Sequence, residues 1–359
     1  MPRVLFIPVS GGEGSGEVER CRLLAHALRA RMPDSRSSAP ETLAVETPAL
    51  EVPALEVHFL LAPRAADIPE PTTRLPDSPT RAVPEVVAAI TALRPDVVVF
   101  DGNTRVAALQ AARDAGARTV LISSRPSARD RGLRWRRMAR LHEHWLVGAD
   151  LLAAPGWRER LARSRYPDVV VRRYATLFAK PVAPADADAV LARLGLAPPY
   201  VMVCPGGGGH VVDGTPADAL FGAVAAALAR DGLRTLAVAT RDAAPAVEAA
   251  RLPNAELMAL LSRAQAALLG GGSLLVQALA LRVPVLALPL QAEQAARVAF
   301  LRRAGAVQVA QSREPAALAA QLRSLCESPD ASQTLRHGVD ALGLRNGLDE
   351  AVAALHALL

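Results

Sequence analysis

Short apolar runs alternate with amphipathic stretches along the chain. Arg3–Val9 reads as a strand, Gly11–Gly16 as a glycine loop and Glu17–Arg31 as a helix whose Leu23, Leu24, Ala27 and Leu28 share one face. Residues 33–84 are Pro-rich and irregular apart from a strand at Val57–Leu61. The pattern then predicts a helix over Val83–Leu93, a strand over Val97–Phe100, a helix over Thr104–Ala115 and a strand over Thr119–Ile122. This strand–helix–strand rhythm implies a parallel, doubly wound sheet. Arg129–Leu146 reads as one basic helical stretch, and Leu151–Ala153 and Val169–Val171 as short strands.

A linker falls near Ala179–Ala189, and the rhythm restarts after it. Val201–Cys204 is a strand, Pro205–Gly214 a loop and Pro216–Arg230 a helix, with Thr215 as its N-cap and Pro216 at its first position. Thr235–Ala239 is the next strand. Leu252–Ala306 follows as helix, strand (Ala266–Leu269), glycine turn, helix, strand (Val285–Leu288), the polar loop Gln291-Ala292-Glu293-Gln294, and helix. Pro315–Leu325 and Gly347–Leu359 complete the helices. Two α/β domains result, 1–180 and 181–345, with 346–359 as a final helix that crosses back to the first. Parallel sheets bind ligands beyond the carboxyl ends of their strands. A helix that opens behind a glycine turn suits a phosphate at its N-terminus. Gly271, Gly272 and Ser273 meet both conditions.

The bulk numbers narrow the chemistry. With 359 residues and 51% hydrophobic content, two cores are readily filled, and aromatics at 3% leave that task to Ala, Leu and Val. A net charge of +6 would normally suggest an acidic partner. Here Lys180 is the only lysine, so the charge is arginine and follows the Ala/Arg-rich composition. Cys21, Cys204 and Cys326 have neither disulfide nor metal spacing and read as buried thiols of a reducing compartment. No leader and no transmembrane run is predicted, which implies a cytoplasmic protein. The run Arg129–Arg140 is the candidate for a peripheral contact with an anionic membrane face. No aromatic ladder accompanies it, so nucleic acid is not an expected partner.

Further candidates sit at strand ends. Asp101 closes Val97–Asp101 and points beyond the sheet, as a base, an acceptor ligand or a turn residue. Glu17 opens the first helix behind the loop Gly12, Glu13, Gly14, Ser15 and Gly16, and is the second candidate base. Gly206, Gly207, Gly208 and Gly209 follow the first strand of the second domain and permit close approach of backbone N–H groups to a ligand. His210 ends that run as a donor. Asp186-Ala187-Asp188 imitates a metal-binding pair but falls in the linker, and no metal site is expected.

Residues 252–306 resemble the nucleotide-sugar half of GT-B glycosyltransferases, above all the MurG and UDP-glycosyltransferase families. Gly271, Gly272 and Ser273 match their glycine turn, Ala278–Pro284 the helix end, and Glu293-Gln294 their acidic-Gln pair. Gln277 stands where the family has a ribose-binding Glu, and Arg282 where it has Gly. The loop with Arg20-Cys21 is similar to that of PseG-type nucleotide-sugar hydrolases, with Glu17 in place of their His. The resemblance implies two Rossmann-like sheets facing a cleft, and a nucleoside diphosphate sugar (UDP or TDP) as co-substrate with no other cofactor. It further implies inverting transfer to an acceptor hydroxyl. In that scheme Gln277 holds the ribose, Glu293 and Gln294 the sugar, and Glu17 or Asp101 the proton. A hydrolase, an epimerase and a non-catalytic binding protein on the same fold are the rivals.

Overall fold

The computed structural model describes residues 1–9, 16–32, 55–207, 209–250 and 252–359. The loop residues Gly12, Glu13, Gly14 and Ser15, and Gly208 of the second glycine run, lie outside them. The chain divides into two compact units. The first comprises Met1–Leu146, Pro155–Arg173 and Leu348–Leu359; the second comprises Val147–Ala154 and Tyr174–Gly347.

The first unit and the strand ends that border it contain β1 (Arg3–Pro8), α1 (Gly16–Arg31), β2 (Glu56–Leu61), β3 (Thr72–Arg74), α2 (Val83–Leu93), β4 (Val97–Asp101), α3 (Val106–Asp114), β5 (Arg118–Ser123), α4 (Pro126–Gly132), α5 (Trp135–Met138), β6 (Glu143–Val147), α6 (Trp157–Arg165) and β7 (Val170–Tyr174). The strands form one sheet in the order β3-β2-β1-β4-β5-β6-β7. β1 runs parallel to β2 and β4, and β5 runs parallel to β4 and β6. Val97–Asp101 is buried throughout, as a strand with helices on both faces must be. Phe6 and Phe59 stack at 5.2 Å across β1 and β2.

The second unit continues with α7 (Pro184–Arg193), β8 (Val201–Cys204), β9 (Val211–Val212), β10 (Thr215–Pro216), α8 (Ala217–Arg230), β11 (Thr235–Val238), β12 (Val247–Ala249), α9 (Asn254–Arg263), β13 (Ala266–Gly270), α10 (Ser273–Ala280), β14 (Val285–Leu288), α11 (Ala292–Arg303), β15 (Gln308–Val309), α12 (Pro315–Glu327) and α13 (Pro329–Leu342). Its main sheet, ordered β12-β11-β8-β13-β14-β15, is parallel throughout. Helix α14 (Leu348–His356) belongs to the first unit and packs against α1. In both sheets the order reverses once, between β1 and β4 and between β8 and β13. Those two reversals are where a doubly wound sheet opens a ligand crevice. Among the described residues no helix is long and apolar enough to cross a membrane.

Several sequence expectations are corrected. Arg129–Leu146 is not one helix: it divides into the end of α4, the short α5 and the buried strand β6. The strand opens with an acid, Glu143, a residue type that ordinarily stays exposed. It is instead buried, accepting two bonds from Arg172 on β7 (2.7 and 2.9 Å) and one from the Trp145 indole (2.6 Å). Leu151–Ala153 is no strand; a 3₁₀ turn spans Ala149–Leu152. The expected linker contains α7, and Asp188 pairs with Arg263 on its surface. Thr215 does not cap α8: it bridges Val212 in a two-residue hairpin, and Pro216 is the N-cap. Helix α11 begins at Ala292, so Glu293 and Gln294 are helical rather than in a loop. α13 was not anticipated.

His144 of β6 is fully buried, with Nε2 at 3.0 Å from the Ser123 hydroxyl and Nδ1 lacking any partner. A Cβ on Gly132 would lie 2.4 Å from its ring, so the glycine admits the imidazole. Burial pushes the His144 pKa down to about 3. The neutral ring is therefore favoured on folding. Its contribution to stability is complete above the unfolded value of about 6.5 and is lost as pH falls from there towards 3. Urea unfolding of wild type from pH 7 down to pH 4 is expected to lose stability faster than His144→Gln, by up to about 1.4 kcal/mol per pH unit. Equal slopes would show an ordinary surface-like histidine.

Candidate active site

In the first unit the crevice at the β1–β4 reversal is built around Asp101. Its backbone is fixed by the Val9 N–H, which donates to the Asp101 carbonyl at 2.8 Å, and its side chain is fully buried. Arg20 on α1 donates to both carboxylate oxygens, Nε to Oδ2 at 2.7 Å and Nη2 to Oδ1 at 2.6 Å, and the Cys21 thiol adds a third donor at 3.7 Å. Burial raises the Asp101 carboxyl to about 6 against the pull of Arg20, so the pair is ionised at neutral pH. The Cys21 thiol is pushed well up by burial and by the Asp101 charge, and remains protonated.

Glu17 occupies the first turn of α1. Its residue is 7% exposed, and its Oε1 lies 3.6 Å from the Arg125 guanidinium. Gly102, at φ +104°, lets α1 settle over the strand end; a Cβ there would meet the Val9 carbonyl at 3.3 Å and the Glu17 Cγ at 3.7 Å. Thus the buried Glu17 carboxylate has the Arg125 guanidinium beside it at 3.6 Å, whereas both Asp101 oxygens already accept hydrogen bonds from Arg20. The geometry gives Asp101 the work of positioning Arg20, which reaches towards the Ser124 hydroxyl at 3.5 Å. Arg20 and Arg125 were not singled out as site residues. Arg20 lay within the recognised loop motif, while Arg125 had no sequence signal of its own.

In the second unit the crevice at the β8–β13 reversal gathers the ends of three strands. Gly270 closes β13 so near the Pro205 carbonyl that a Cβ would lie 2.3 Å from it. A Cβ on Gly271 would meet that of Gln294 at 2.8 Å. Gly272 is different: nothing lies within 4 Å of its Cβ position and its backbone is extended, so neither packing nor conformation demands glycine there. It is the N-cap of α10 with no side-chain cap, and Ser273 beside it is exposed. The space around the Gly272 Cβ position and the exposed Ser273 leave room at the N-terminus of α10, where the first-turn N–H groups have no helical partner.

The neighbouring polar residues have distinct tasks. Gln294 is buried, and its Oε1 accepts from the Gly271 N–H at 3.0 Å and the Leu290 N–H at 2.9 Å. Arg297 donates to the Gly271 carbonyl at 2.8 Å. Hence the Gly271 N–H is already paired within the chain, and the Gln294 carbonyl is a clamp between β13 and β14. Gln277 is half-buried, with Nε2 donating to the Leu177 carbonyl at 3.4 Å and Oε1 left over. Glu293 is exposed in the first turn of α11. His210 Nδ1 meets Gln291 Nε2 at 3.0 Å, which ties the glycine loop to the N-cap of α11. Gly206 (φ +88°) and Gly209 (φ +53°) supply turns of that loop, and Gly207 follows Gly206. Among the described residues no group of three or more His, Cys, Asp or Glu could hold a metal ion.

Solved structures similar to the chain include UGT2 of Phytolacca americana complexed with UDP-2fluoro-glucose and pterostilbene, at 13% identity over 99% of both chains and a TM-score of 0.64. The spinosyn forosaminyltransferase SpnP matches at 16% identity over 99% of both chains, TM-score 0.64. MurG of Acinetobacter baumannii matches at 15% identity over 99% of this chain and 100% of its own, TM-score 0.55. No family model and no curated protein matches the chain. At these identities the likeness is one of fold, and the fold is GT-B.

Two buried polar clusters can be tested directly. Gln294→Ala strands the Gly271 and Leu290 N–H groups and is expected to cost about 2 to 4 kcal/mol in denaturant unfolding of the second unit. Asp101→Asn leaves the Arg20 charge poorly compensated, at a cost of about 3 kcal/mol, whereas the double change Arg20→Met with Asp101→Leu restores most of it. A mild Asp101→Asn effect would mean that Arg20 reaches solvent.

Proposed function

We propose that the chain is a glycosyltransferase that moves a sugar from a nucleoside diphosphate sugar, UDP or TDP, to an acceptor hydroxyl with inversion. The observation that carries this reading is the uncapped N-terminus of α10. Gly272 has no steric reason to be glycine, and Ser273 beside it is exposed, at the end of a strand that borders the sheet reversal. An approaching diphosphate supplies the reason: it needs backbone N–H groups, a hydroxyl and the positive end of a helix dipole.

In this scheme Gly272 and Ser273 hold the diphosphate, assisted by Gly206, Gly207, Gly208, Gly209 and His210, while Gly271 shapes the turn without touching the ligand. Gln277 accepts a ribose hydroxyl through Oε1, and Glu293 binds the sugar. The acceptor oxygen attacks the anomeric carbon, the bond to the β-phosphate oxygen breaks, and the diphosphate leaves with the electron pair. Glu17 takes the acceptor proton. Helix N-termini stabilise the departing charge without reorganising. The UGT2 structure, of the same fold, holds UDP-2fluoro-glucose and so supports this donor class.

Calorimetry with UDP, TDP, GDP, ADP and CMP and their common sugars is the test. One nucleoside diphosphate class is expected to bind, and Gly272→Val to weaken it at least about tenfold without shifting the thermal melt. Glu17→Gln should leave donor affinity nearly unchanged and lower turnover by about 10²–10⁴. Release of free sugar without acceptor would identify a hydrolase, the reading that the Arg20-Cys21 motif favours. Absence of nucleotide binding would remove the donor site on which the proposal rests.

A further inference from the structure

A cavity of about 590 Å³ lies in the first unit between the α4–α5 segment and α6. Leu133 and Trp135 line one wall, and Trp157, Leu161 and Tyr166 the other. The chain has three tryptophans; Trp145 is fully buried, while Trp135 is 63% and Trp157 64% exposed, both on this cavity. Leu161 beside them is 61% exposed. Leaving three large apolar side chains together in water is costly, and a contiguous exposed patch of this kind marks a binding surface. The charges around it are uneven. Arg134, Arg158 and Arg165 line the cavity against one carboxylate, Asp130, which Arg158 holds at 3.1 Å. Among the described residues no acid pairs with Arg134 or Arg165. The guanidinium groups also lie against the rings, Arg158 over Trp157 at 5.2 Å and Arg165 over Tyr166 at 5.4 Å.

We infer that this cavity is a binding site for a small, flat, apolar anion, an aromatic carboxylate or sulfonate in chemical class. The volume falls in the range of small-molecule pockets, about 300–1,000 Å³, and the walls combine aromatic faces with a few charged groups, as such pockets do. A planar ring is received against the aromatic lining, and its acid is received by Arg134 and Arg165. The concave shape favours a discrete molecule over a bilayer. The arginine run at 129–140 does not present a continuous basic face either: Arg129 is buried, Arg137 donates to the Thr104 carbonyl and Arg140 to Gln110. The site is separate from Glu17. Arg125 at the N-cap of α4 reaches Glu17, whereas the cavity begins at Asp130, five residues further along, about 7.5 Å away by helical rise, and extends from there to α5 and α6. The inference stands whether or not the chain transfers sugar.

The probe is 1-anilinonaphthalene-8-sulfonate, an aromatic sulfonate whose fluorescence reports burial, with neutral N-phenyl-1-naphthylamine as control. The full chain should bind the sulfonate saturably, one per chain, and at least about tenfold more tightly than the neutral amine, as expected where arginines contribute. Trp157→Ala and, independently, Arg134→Glu should each weaken the sulfonate about tenfold. Both side chains lie at the surface, so the thermal melt should not move. Non-saturable binding, equal affinity for the neutral amine, or insensitivity to both substitutions would overturn the site. So would Trp157-dependent co-sedimentation with phosphatidylglycerol vesicles without saturable sulfonate binding, since the patch would then face a membrane.

Discussion

Both units depend on one constraint. A parallel sheet covered on both faces satisfies its backbone along the ladder but not at the strand ends, and buried polar groups there must find partners. In the second unit Gln294 meets this requirement at two strand ends with a single oxygen, on Gly271 and Leu290. In the first unit the Asp101 side chain, buried at the end of β4, is met by Arg20 from the first helix. These contacts pair the polar groups at the two sheet reversals. Without them the loops would have to collapse onto the strand ends or admit water.

The same constraint separates scaffold from reactive surface. Asp101 and Gln294 have the residue types of catalytic and ligand-binding groups, yet their oxygens already accept hydrogen bonds within the chain. The groups with capacity left over sit one step outward: Glu17 beside Arg125, Gly272 and Ser273 at the open turn of α10, and His210 with Gln291. Glycines show the same division. Gly270 and Gly271 are glycine because a neighbour stands within 2.8 Å of where a Cβ would be, while Gly272 is glycine with nothing beside it. Packing accounts for the first two, and the donor proposed for this site accounts for the third.

Helical and strand periodicity carried most of the element pattern. Apolar runs such as Val97–Phe100 and Val285–Leu288, short and flanked by turn residues, read as buried strands between helices. Periodicity failed where a polar residue enters the core with its partner. Glu143 disguised β6, and its compensation by Arg172 lies 29 positions along the chain, beyond any local pattern. It failed again where a helix is polar on most of its surface, as in α13, and where a prolyl start and an acidic face made α7 look like a linker.

The sequence by itself determined the α/β class, the two glycine turns and the candidate residues around them, because backbone conformation and hydrophobic period are local properties. The tertiary structure alone decided which candidates keep free atoms. Whether Asp101 can accept a proton, or Gly271 donate to a phosphate, depends on side chains brought in from Arg20 and Gln294 by the packing of helices on sheets. Likewise Trp135 and Trp157 are unremarkable residues 22 positions apart until the fold sets them on one cavity. Hydrogen-bond capacity is finite, and only the folded chain shows where it has already been used.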